Sequence, residues 1–550
     1  MNYYFSAFFR HLAWFTLIFA SSFHIAWATP PEADQAYERG YALQREMRTL
    51  EAIEAYKEAL KLDPFHGKAN YEIGWSYWVL RQWQDVVRHW EVAQQLEAGT
   101  PELPDYLALA RERLSGKAPP LVRVAIGTKE SKDNLTVELT GRFQHFDPKP
   151  DVPEDHFDPH IFSPKSVLFT PDGQKAYVNA LEGHATLVYN PTTRRKIRII
   201  PHRFGKAQQH LFNQELEAQA WSEIPPDKRP AEPTMFLGKP VEMILSHQGR
   251  FLWVSYYRRD FDTLGVMPSV VAVIETRTDK IIRLLPTGPI PKALAYSPEA
   301  GLVAVIHWGD NTVGLIDVKG DDPASFKPIG QAVVEKKLPL TMNGKVNRDN
   351  ICGYCLRGSV FTKDGKYLLV SRMGGGGIAV VDAEKRKYIG SVWGMKPTPR
   401  HLELSSDGER VYVSSSASGY VSMFRTQEFI AAAKKGRRTI KPLRQIRTGT
   451  GTRTIALSPD DQYVYAAINN KSKLVILEAK TLKKVLELPA DSFPVGLAVS
   501  PDSQQVWLTS QGRKLRGGNS VSLYTVTQKL KETPPADEKK LPAQSSTQKE

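Results

Sequence analysis

The two cysteines of the chain, Cys352 and Cys355, are the residues whose spacing most directly suggests chemistry. C-x-x-C spacing occurs in thiol redox pairs, in halves of metal sites, in haem attachment sites and in structural disulfides. Haem attachment is excluded because Leu356 stands where that motif requires a histidine. The other uses can be separated only through the cellular compartment and the fold, and both are indicated elsewhere in the sequence.

Three further segments contain residue types that could serve a site. His156, Asp158 and His160 alternate along the chain and could hold a metal ion, although the flanking prolines favour an ordinary loop. The glycines of residues 373–377 lack the Lys-Ser/Thr of a phosphate-binding loop, and residues 434–438 (KKGRR) form a basic surface patch. Nucleophile-elbow, H-E-x-x-H, Walker and dinucleotide-binding motifs are absent from the sequence, so it does not support catalysis, and we assign no catalytic residue, metal ligand or cofactor. A catalytic site assembled from single residues on separate blades would contain no such motif.

The first 28 residues have the layout of a secretory signal peptide. Arg10 precedes the apolar residues 12–20, and Ala26-Trp27-Ala28 is a cleavage pattern. We therefore expect an exported protein, periplasmic or secreted, whose mature chain begins at Thr29; retention of the segment as an anchor is the alternative. Residues 528–550 mix charged and polar residues with almost no apolar ones, and we expect a disordered tail.

Length and charge limit the architecture and the partners. The 550 residues are too many for one ordinary core and indicate several domains or a repeat architecture. The formal charge of +14 favours anionic partners in general. In an exported protein, envelope polymers and anionic lipids compete with nucleic acid for that role, and we consider nucleic acid unlikely to be the ligand.

Residues 34–98 contain two copies of a pattern with a period of 34 residues. Gly40 recurs as Gly74, Ala52 as Val86, Tyr56 as Trp90, and Ala59 as Ala93. The pattern resembles the tetratricopeptide repeat, which implies antiparallel helix pairs over residues 29–118, with residues 102–114 as a cap helix. In the register of that family, a protein partner would meet the concave face at Tyr37, Tyr41, Tyr71, Trp75 and Trp78. The alternative is that these rings pack on the cap helix or on the rest of the chain.

From residue 121 the pattern changes to short segments in which apolar residues alternate. One phrase recurs seven times: PKSVLFT (from Pro164), PVEMILS (Pro240), PKALAYS (Pro291), LRGSVFT (Leu356), PRHLELS (Pro399), TRTIALS (Thr452) and PVGLAVS (Pro494). A turn, a second strand and a third strand follow each copy, so four strands per copy predict a mainly β chain with a seven-bladed β-propeller. Residues 121–527 closely resemble the YVTN-type propeller repeat of exported bacterial proteins.

The end of the repeat predicts how the ring closes. The seventh copy has three strands before the expected tail, whereas residues 134–141 (NLTVELTG), before the first copy, match the pattern of an outer strand. We expect this early segment to complete the last blade. Such an interlock would join the two ends of the ring.

The strand order also assigns loops to faces. The segments that enter each first strand, and the loops between second and third strands, should surround one mouth of the axial channel. By analogy with other propellers, that face would bind a ligand, here an anionic or carbohydrate-like one. The expected ligand-binding residues are Tyr256, Arg258, His307, Trp308, Arg372, Lys396 and Arg513. A solvated rim that shares the general positive charge is the alternative.

The compartment and the fold bear on Cys352 and Cys355. C-G-Y-C resembles the active sites of exported thiol-disulfide isomerases, but those sites open a helix, whereas Cys355 runs directly into the predicted strand from Leu356. A disulfide is therefore expected in an oxidising compartment. A soft-metal site with Met373 or a histidine, and free thiols, are the alternatives.

Three functions remain open. The first is a non-enzymatic binding or scaffold protein of the cell envelope, with a protein partner on the helical repeats and a second, anionic ligand on the propeller rim. The second is a propeller enzyme, or a redox or metal accessory, with a site near Cys352 and Cys355. The third is general binding of polyanions, including DNA.

Overall fold

The computed structural model describes residues 29–46, 48–116, 121–344, 346–513 and 516–528. The expected signal peptide (1–28) and nearly all of the expected tail (528–550) lie outside these residues. The chain divides into two compact units, one ending at Leu103 and the other beginning at Pro104. In the described part of the chain, no helix is both long enough and apolar enough to cross a bilayer.

The first unit is helical, as the 34-residue pattern predicts. Its helices, followed by one that crosses into the second unit, are α1 (Pro31–Arg45), α2 (Thr49–Leu62), α3 (Gly67–Leu80), α4 (Trp83–Gln95) and α5 (Leu103–Ser115). Helices α1 and α2 pack as one pair and α3 and α4 as another. A Cβ on Gly40 would lie 2.7 Å from the Tyr56 ring, and one on Gly74 would lie 2.1 Å from Nε1 of Trp90. The repeated glycines are therefore the positions where each pair receives an aromatic ring.

The second unit contains α5 beyond Leu103 and the β-structure. Before the first blade the chain forms β1 (Lys129–Lys132), β2 (Leu135–Gln144) and β3 (Asp155–Phe157). The first blade is β4 (Pro164–Phe169), β5 (Ala176–Ala180), β6 (Ala185–Asn190) and β7 (Arg195–Pro201). The second is β8 (Arg203–Phe204), β9 (Phe236–Ser246), β10 (Phe251–Arg259), β11 (Ser269–Glu275) and β12 (Lys280–Thr287), with the short helix α6 (Gln214–Ala220) between β8 and β9.

The remaining blades follow in chain order. The third is β13 (Pro291–Ser297), β14 (Leu302–His307), β15 (Thr312–Asp317) and β16 (Lys327–Val333). The fourth is β17 (Leu356–Phe361), β18 (Tyr367–Arg372), β19 (Ile378–Asp382) and β20 (Lys387–Val392). The fifth is β21 (Pro399–Leu404), β22 (Arg410–Ser415), β23 (Tyr420–Arg425) and β24 (Arg444–Arg447), with α7 (Thr426–Lys434) before β24. The sixth is β25 (Thr452–Leu457), β26 (Tyr463–Ile468), β27 (Lys473–Glu478) and β28 (Lys484–Pro489). The seventh contains β29 (Pro494–Val499), β30 (Gln505–Arg513) and β31 (Arg516–Gln528).

The blades form a closed ring, with an apolar layer between each pair of neighbouring blades. The seven strands that contain the recurring phrase contact one another in sequence, and β29 contacts β4. Among the described residues, seven buried apolar clusters occur, and each lies between two neighbouring blades. Alternate residues of a strand face opposite neighbours: Trp253 packs toward the third blade and Val254 toward the first. This explains why the strands are apolar on both faces.

The predicted interlock is confirmed. Strand β2 pairs antiparallel with β31 over Leu135–Gln144, and the sheet order is β1-β2-β31-β30-β29. The buried Arg142 of β2 donates to Asp155 and to Asp491, which enters the last blade. Main-chain pairing and a buried ion cluster therefore join the two ends of the propeller.

Candidate functional site at the mouth and wall of the axial channel

The mouth is the face where each inner strand begins, because the loop between the second and third strands of a blade lies beside that strand start. Pro291, which begins β13, pairs with His307, which ends β14. Trp308 follows in the loop to β15, and residues 334–355 form the long connection that enters β17.

Two of the predicted rim residues lie in the blade interiors. Tyr256 is 0% exposed, and its hydroxyl hydrogen-bonds to Nδ1 of His202 at 2.8 Å. His307 is also 0% exposed and makes hydrogen bonds of 2.5 Å to Thr287 and 2.7 Å to Thr312. Burial lowers the pKa of His307 to about 3, so its ring is neutral. In this structure both side chains hold strands together and are not exposed to a ligand at the rim.

Lys292 lies at the centre of one group of residues at the mouth. Its ammonium is 4.0 Å from the ring centroid of Trp308, 4.9 Å from that of Tyr257 and 2.8 Å from the Asp349 carboxylate. Burial, together with the charges of Arg357 and Arg400, lowers the pKa of Lys292 to about 8 despite Asp349. Trp308 was predicted for the rim, whereas its cationic partner was not.

A second group surrounds Arg372, which is buried. Its guanidinium lies 4.1 Å from the Tyr354 ring centroid and 5.3 Å from that of Trp393, and its Nη1 is 3.0 Å from Glu335. Tyr354 is held in place because its hydroxyl donates to Glu335 at 2.6 Å. Arg372 therefore supports the mouth from within, with Tyr354 covering it.

The other predicted rim residues are placed separately. Arg258 is half-buried and donates to the Thr263 carbonyl at 3.0 Å. Lys396 is half-buried, with its ammonium 5.1 Å from the Tyr420 ring centroid. Arg513 ends β30, and its side chain lies outside the described residues.

Helix α5 reaches the same face at the fifth and sixth blades. Asp105 lies 3.2 Å from Lys471 and 3.7 Å from Arg447, and Tyr106 donates to the Ser416 carbonyl at 3.4 Å. Lys471 and Ser416 lie in loops between second and third strands. This helix, predicted to cap the helical repeats, therefore belongs to the propeller unit from Pro104 onward.

Cys352 and Cys355 form a disulfide, as predicted. Cys355 leads directly into β17, and the segment between the cysteines carries Tyr354 over Arg372. Because the sulfurs are bonded to each other, neither is a thiolate ligand for a soft metal in this state. The sulfur of Met373 instead lies 3.6 Å from Nη1 of Arg400.

The other motifs from the sequence are structural in this fold. Asp158 accepts hydrogen bonds from Lys196 at 2.7 Å and from Tyr189 at 2.6 Å, and His160 lies 3.2 Å from it. Across the described ranges, no group of three or more His, Cys, Asp or Glu side chains is arranged to hold a metal ion. Residues 373–377 join β18 to β19, as expected of a turn between strands.

The aromatic residues of the helical unit pack edge-to-face on one another. Trp75 lies 4.8 Å from Trp90 and 5.9 Å from Trp78, and Tyr71 lies 6.3 Å from Trp75, between ring centroids. Tyr37 is buried, whereas Tyr41 is 38% exposed. These rings therefore pack within the helix pairs, and Tyr41 is the most exposed of the predicted set. The partner-binding face stays a prediction.

The channel wall contains a set of cations that the motif search missed. The second residue of each recurring phrase, which lies on the inner strand of its blade, is Lys165, Val241, Lys292, Arg357, Arg400, Arg453 and Val495, in chain order. All seven inner strands have a register shift that includes this second residue. A β-bulge re-aims a side chain. The sequence does indicate this set of cations, because Lys or Arg is the second residue in five of the seven recurring phrases.

Hydroxyl groups from neighbouring blades fix the backbone of these cations. Ser371 donates to the Arg400 carbonyl at 2.9 Å, Ser414 to that of Arg453 at 2.6 Å, and Thr509 to that of Lys165 at 2.9 Å. Each donor lies on the second strand of one blade and each acceptor on the inner strand of the next. The cation positions are therefore fixed by the contacts that also join the blades.

The fold and this site define the class: the chain is a seven-bladed β-propeller protein with an N-terminal helical region and a cationic channel. No family model matches it. A curated relative, Antigen Lp49 of Leptospira interrogans serogroup Icterohaemorrhagiae serovar copenhageni (strain Fiocruz L1-130), is 25% identical over 239 residues, which are 40% of this chain and 45% of the relative. The similarity thus spans less than half of the relative's length.

Solved structures match this chain at low sequence identity. The Myceliophteria thermophila Cps50 (Swd1) β-propeller domain is 15% identical with a TM-score of 0.46, over 66% of this chain and 97% of that one. Kuenenia stuttgartiensis hydrazine synthase is 14% identical with a TM-score of 0.46, over 68% of this chain and 98% of that one. The assignment of seven blades rests on the strand pairing of the chain itself.

Proposed function

We propose that this chain is an exported, non-enzymatic binding or scaffold protein of the cell envelope. Its propeller would take an anionic ligand at the channel mouth, and its helical region, interpreted as tetratricopeptide repeats, would take a protein partner. The observation that carries the proposal is the positive charge of the channel wall. Among the described residues, Arg357 pairs with Glu242 and Lys292 with Asp349, whereas Lys165 and Arg400 have no carboxylate at ion-pair distance. The disulfide supports export because such bonds persist in oxidising compartments.

Retention of the full mature chain on an anionic polymer tests the ligand half of this proposal. We expect immobilised polyglutamate to retain the protein at low salt and neutral dextran not to, with retention falling as salt rises. Charge reversal at the half-buried Arg258 and Lys396 (R258E with K396E) should weaken retention. The matched control reverses two exposed cations on the α7 loop, R437E with R438E, and should have the smaller effect.

Equal retention on both polymers would contradict the proposal, as would loss of retention in the control but not in the rim variant.

For the protein partner, Tyr41 is the residue to change, because it is the most exposed ring of the predicted set. A partner captured by the full chain should bind less tightly to Tyr41→Ala. It should bind normally to Lys68→Ala, an exposed change on α3.

A further inference from the structure

The side chains of the channel wall leave positive charge uncompensated. Glu242 pairs with Arg357 at 2.9 Å, and Asp349 pairs with Lys292 at 2.8 Å. Within the part of the chain that the structure describes, Lys165 and Arg400 have no carboxylate at ion-pair distance. The wall therefore contains more cations than the described side chains neutralise.

Lys165 is the most informative of these residues. It is 9% exposed, and its ammonium has no hydrogen-bond or ion-pair partner among the described residues. An ammonium so deeply placed is costly unless something compensates its charge. Burial and the charges of Arg357, Arg453 and Arg400 lower the pKa of Lys165 well below its ordinary value. Arg357 of the fourth blade also donates to the Lys292 carbonyl of the third at 2.7 Å and pairs with Glu242 of the second at 2.9 Å, so residues of three blades meet here.

The deeper wall adds little opposing charge. Glu403, three residues beyond Arg400 on β21, has its pKa raised by burial to about 8, so it is mainly protonated at neutral pH. His401 has its pKa lowered to about 3, first by burial and then by Arg357 and Arg400, and it is neutral. Its Nδ1 has no hydrogen-bond partner in the described chain. Neither group compensates the cations at neutral pH.

The wall is closed where the cations lie. A Cβ on Gly358 would be 2.5 Å from the Arg400 carbonyl, and one on Gly496 would be 2.3 Å from the Lys165 carbonyl. Neighbouring inner strands thus approach too closely for a ligand to pass between them. A ligand must enter along the axis and meet side chains from several blades together, which favours a small molecule over a polymer.

We propose that Lys165, Arg357, Arg400 and Arg453 bind a small oxyanion with at least two negative charges inside the axial channel, with Lys292 at its mouth. Guanidinium groups suit this ligand because their planar N–H donors match the oxygens of a phosphate or carboxylate. The inference rests on the proposed anionic ligand and specifies its size, charge and position. Phosphates and polycarboxylates share this chemistry.

Calorimetric titration of the full mature chain shows whether the ligand is a phosphate or a polycarboxylate. Pyrophosphate is the phosphate probe, citrate the carboxylate probe and acetate the singly charged control. We expect at least one of the first two to bind and acetate not to. Arg400→Gln and Arg453→Gln should each weaken binding by about tenfold or more, because each removes charge-assisted hydrogen bonds. The control pair R437A with R438A removes two exposed charges and should change affinity by less than about twofold.

Lys165→Met gives a second readout that a purely structural role would not produce. Because methionine is apolar and of similar length, it removes the uncompensated charge while filling the space. We expect the melting temperature of the ligand-free protein to rise and the stabilisation by the bound probe to shrink. A lower melting temperature with unchanged stabilisation by the probe would overturn the inference.

The remaining outcomes separate this inference from the proposed function. If neither probe binds, or if Arg400→Gln and Arg453→Gln leave binding intact, the channel site is wrong. Polyglutamate retained through Arg258 and Lys396 would then leave the proposed function standing. If neither the probes nor the polymer bind, both proposals are wrong.

Discussion

Replacement of Arg142 by methionine should destabilise the propeller strongly, because Arg142 lies where its two ends join. The side chain is 5% exposed and donates to Asp155 at 3.0 Å, to Asp491 at 3.3 Å and to the Val124 carbonyl at 2.9 Å. Without Arg142, two buried carboxylates lose their cation, a loss that typically costs about 3–5 kcal/mol. Asp491 keeps hydrogen bonds from Val124 and Ser520, so we expect a value near the lower end, about 3 kcal/mol.

Urea unfolding at neutral pH, followed by tryptophan fluorescence, measures this loss, and Trp507 reports from inside the last blade. Arg194→Met is the matched control. The half-buried Arg194 donates hydrogen bonds to neutral groups of Thr140, which lies on β2 as Arg142 does, so its loss should cost about 1 kcal/mol. Neutralising both carboxylates (D155N with D491N) in the Arg142→Met background should recover part of the stability, because it removes the stranded charges. A cost below about 1 kcal/mol for Arg142→Met, or no recovery, would refute the reasoning.

Three further predictions concern the helical unit, the channel and the mouth. Gly74→Ala should destabilise the helical unit by about 1–3 kcal/mol, because its Cβ would lie 2.1 Å from Trp90. Thermal unfolding followed by circular dichroism tests this, with the exposed substitution Lys68→Ala as the control. Equal melting temperatures for the two variants would contradict the prediction. Affinity for citrate, which is fully ionised over the range, should fall as the pH rises through about 8, because the mainly buried Lys292 loses its proton there and Glu403 of the same wall becomes negatively charged. Lys292→Arg should weaken that pH dependence and leave the part due to Glu403, and an unchanged profile would be evidence against the role of Lys292. Replacing both cysteines (C352S with C355S) should free Tyr354 from Arg372 and speed proteolysis within residues 346–355, while the fourth blade stays protected. Cleavage at the wild-type rate would show that the disulfide does not hold this segment in place.

The sequence by itself determined the local elements and their number. The apolar alternation of the recurring phrase specifies strands buried on both faces, and its seven copies specify seven blades. The Ser/Thr-x-Asp sequences that follow are turns whose carboxylate accepts a hydroxyl and a main-chain hydrogen bond, as Asp172 does from Thr170 and Gln174. Because the last copy lacks an outer strand, the early segment that became β2 could be predicted to complete the seventh blade. These features are encoded within a few residues or by simple counting.

Only the tertiary structure decided which side chains share a surface. Tyr256 lies within β10 and His307 ends β14, where the sequence pattern predicted exposed rim residues. Both lie inside the blades, because hydrogen bonds to His202 and Thr312 hold them there. Conversely, Lys165 and Arg400 are 235 positions apart and belong to different blades, and only closure of the ring brings their charges within range of each other. The bulge that re-aims each of them is a matter of strand register, and register depends on the partner strand. Local sequence therefore specified the blades, whereas the cationic channel exists only because seven of them close into a ring.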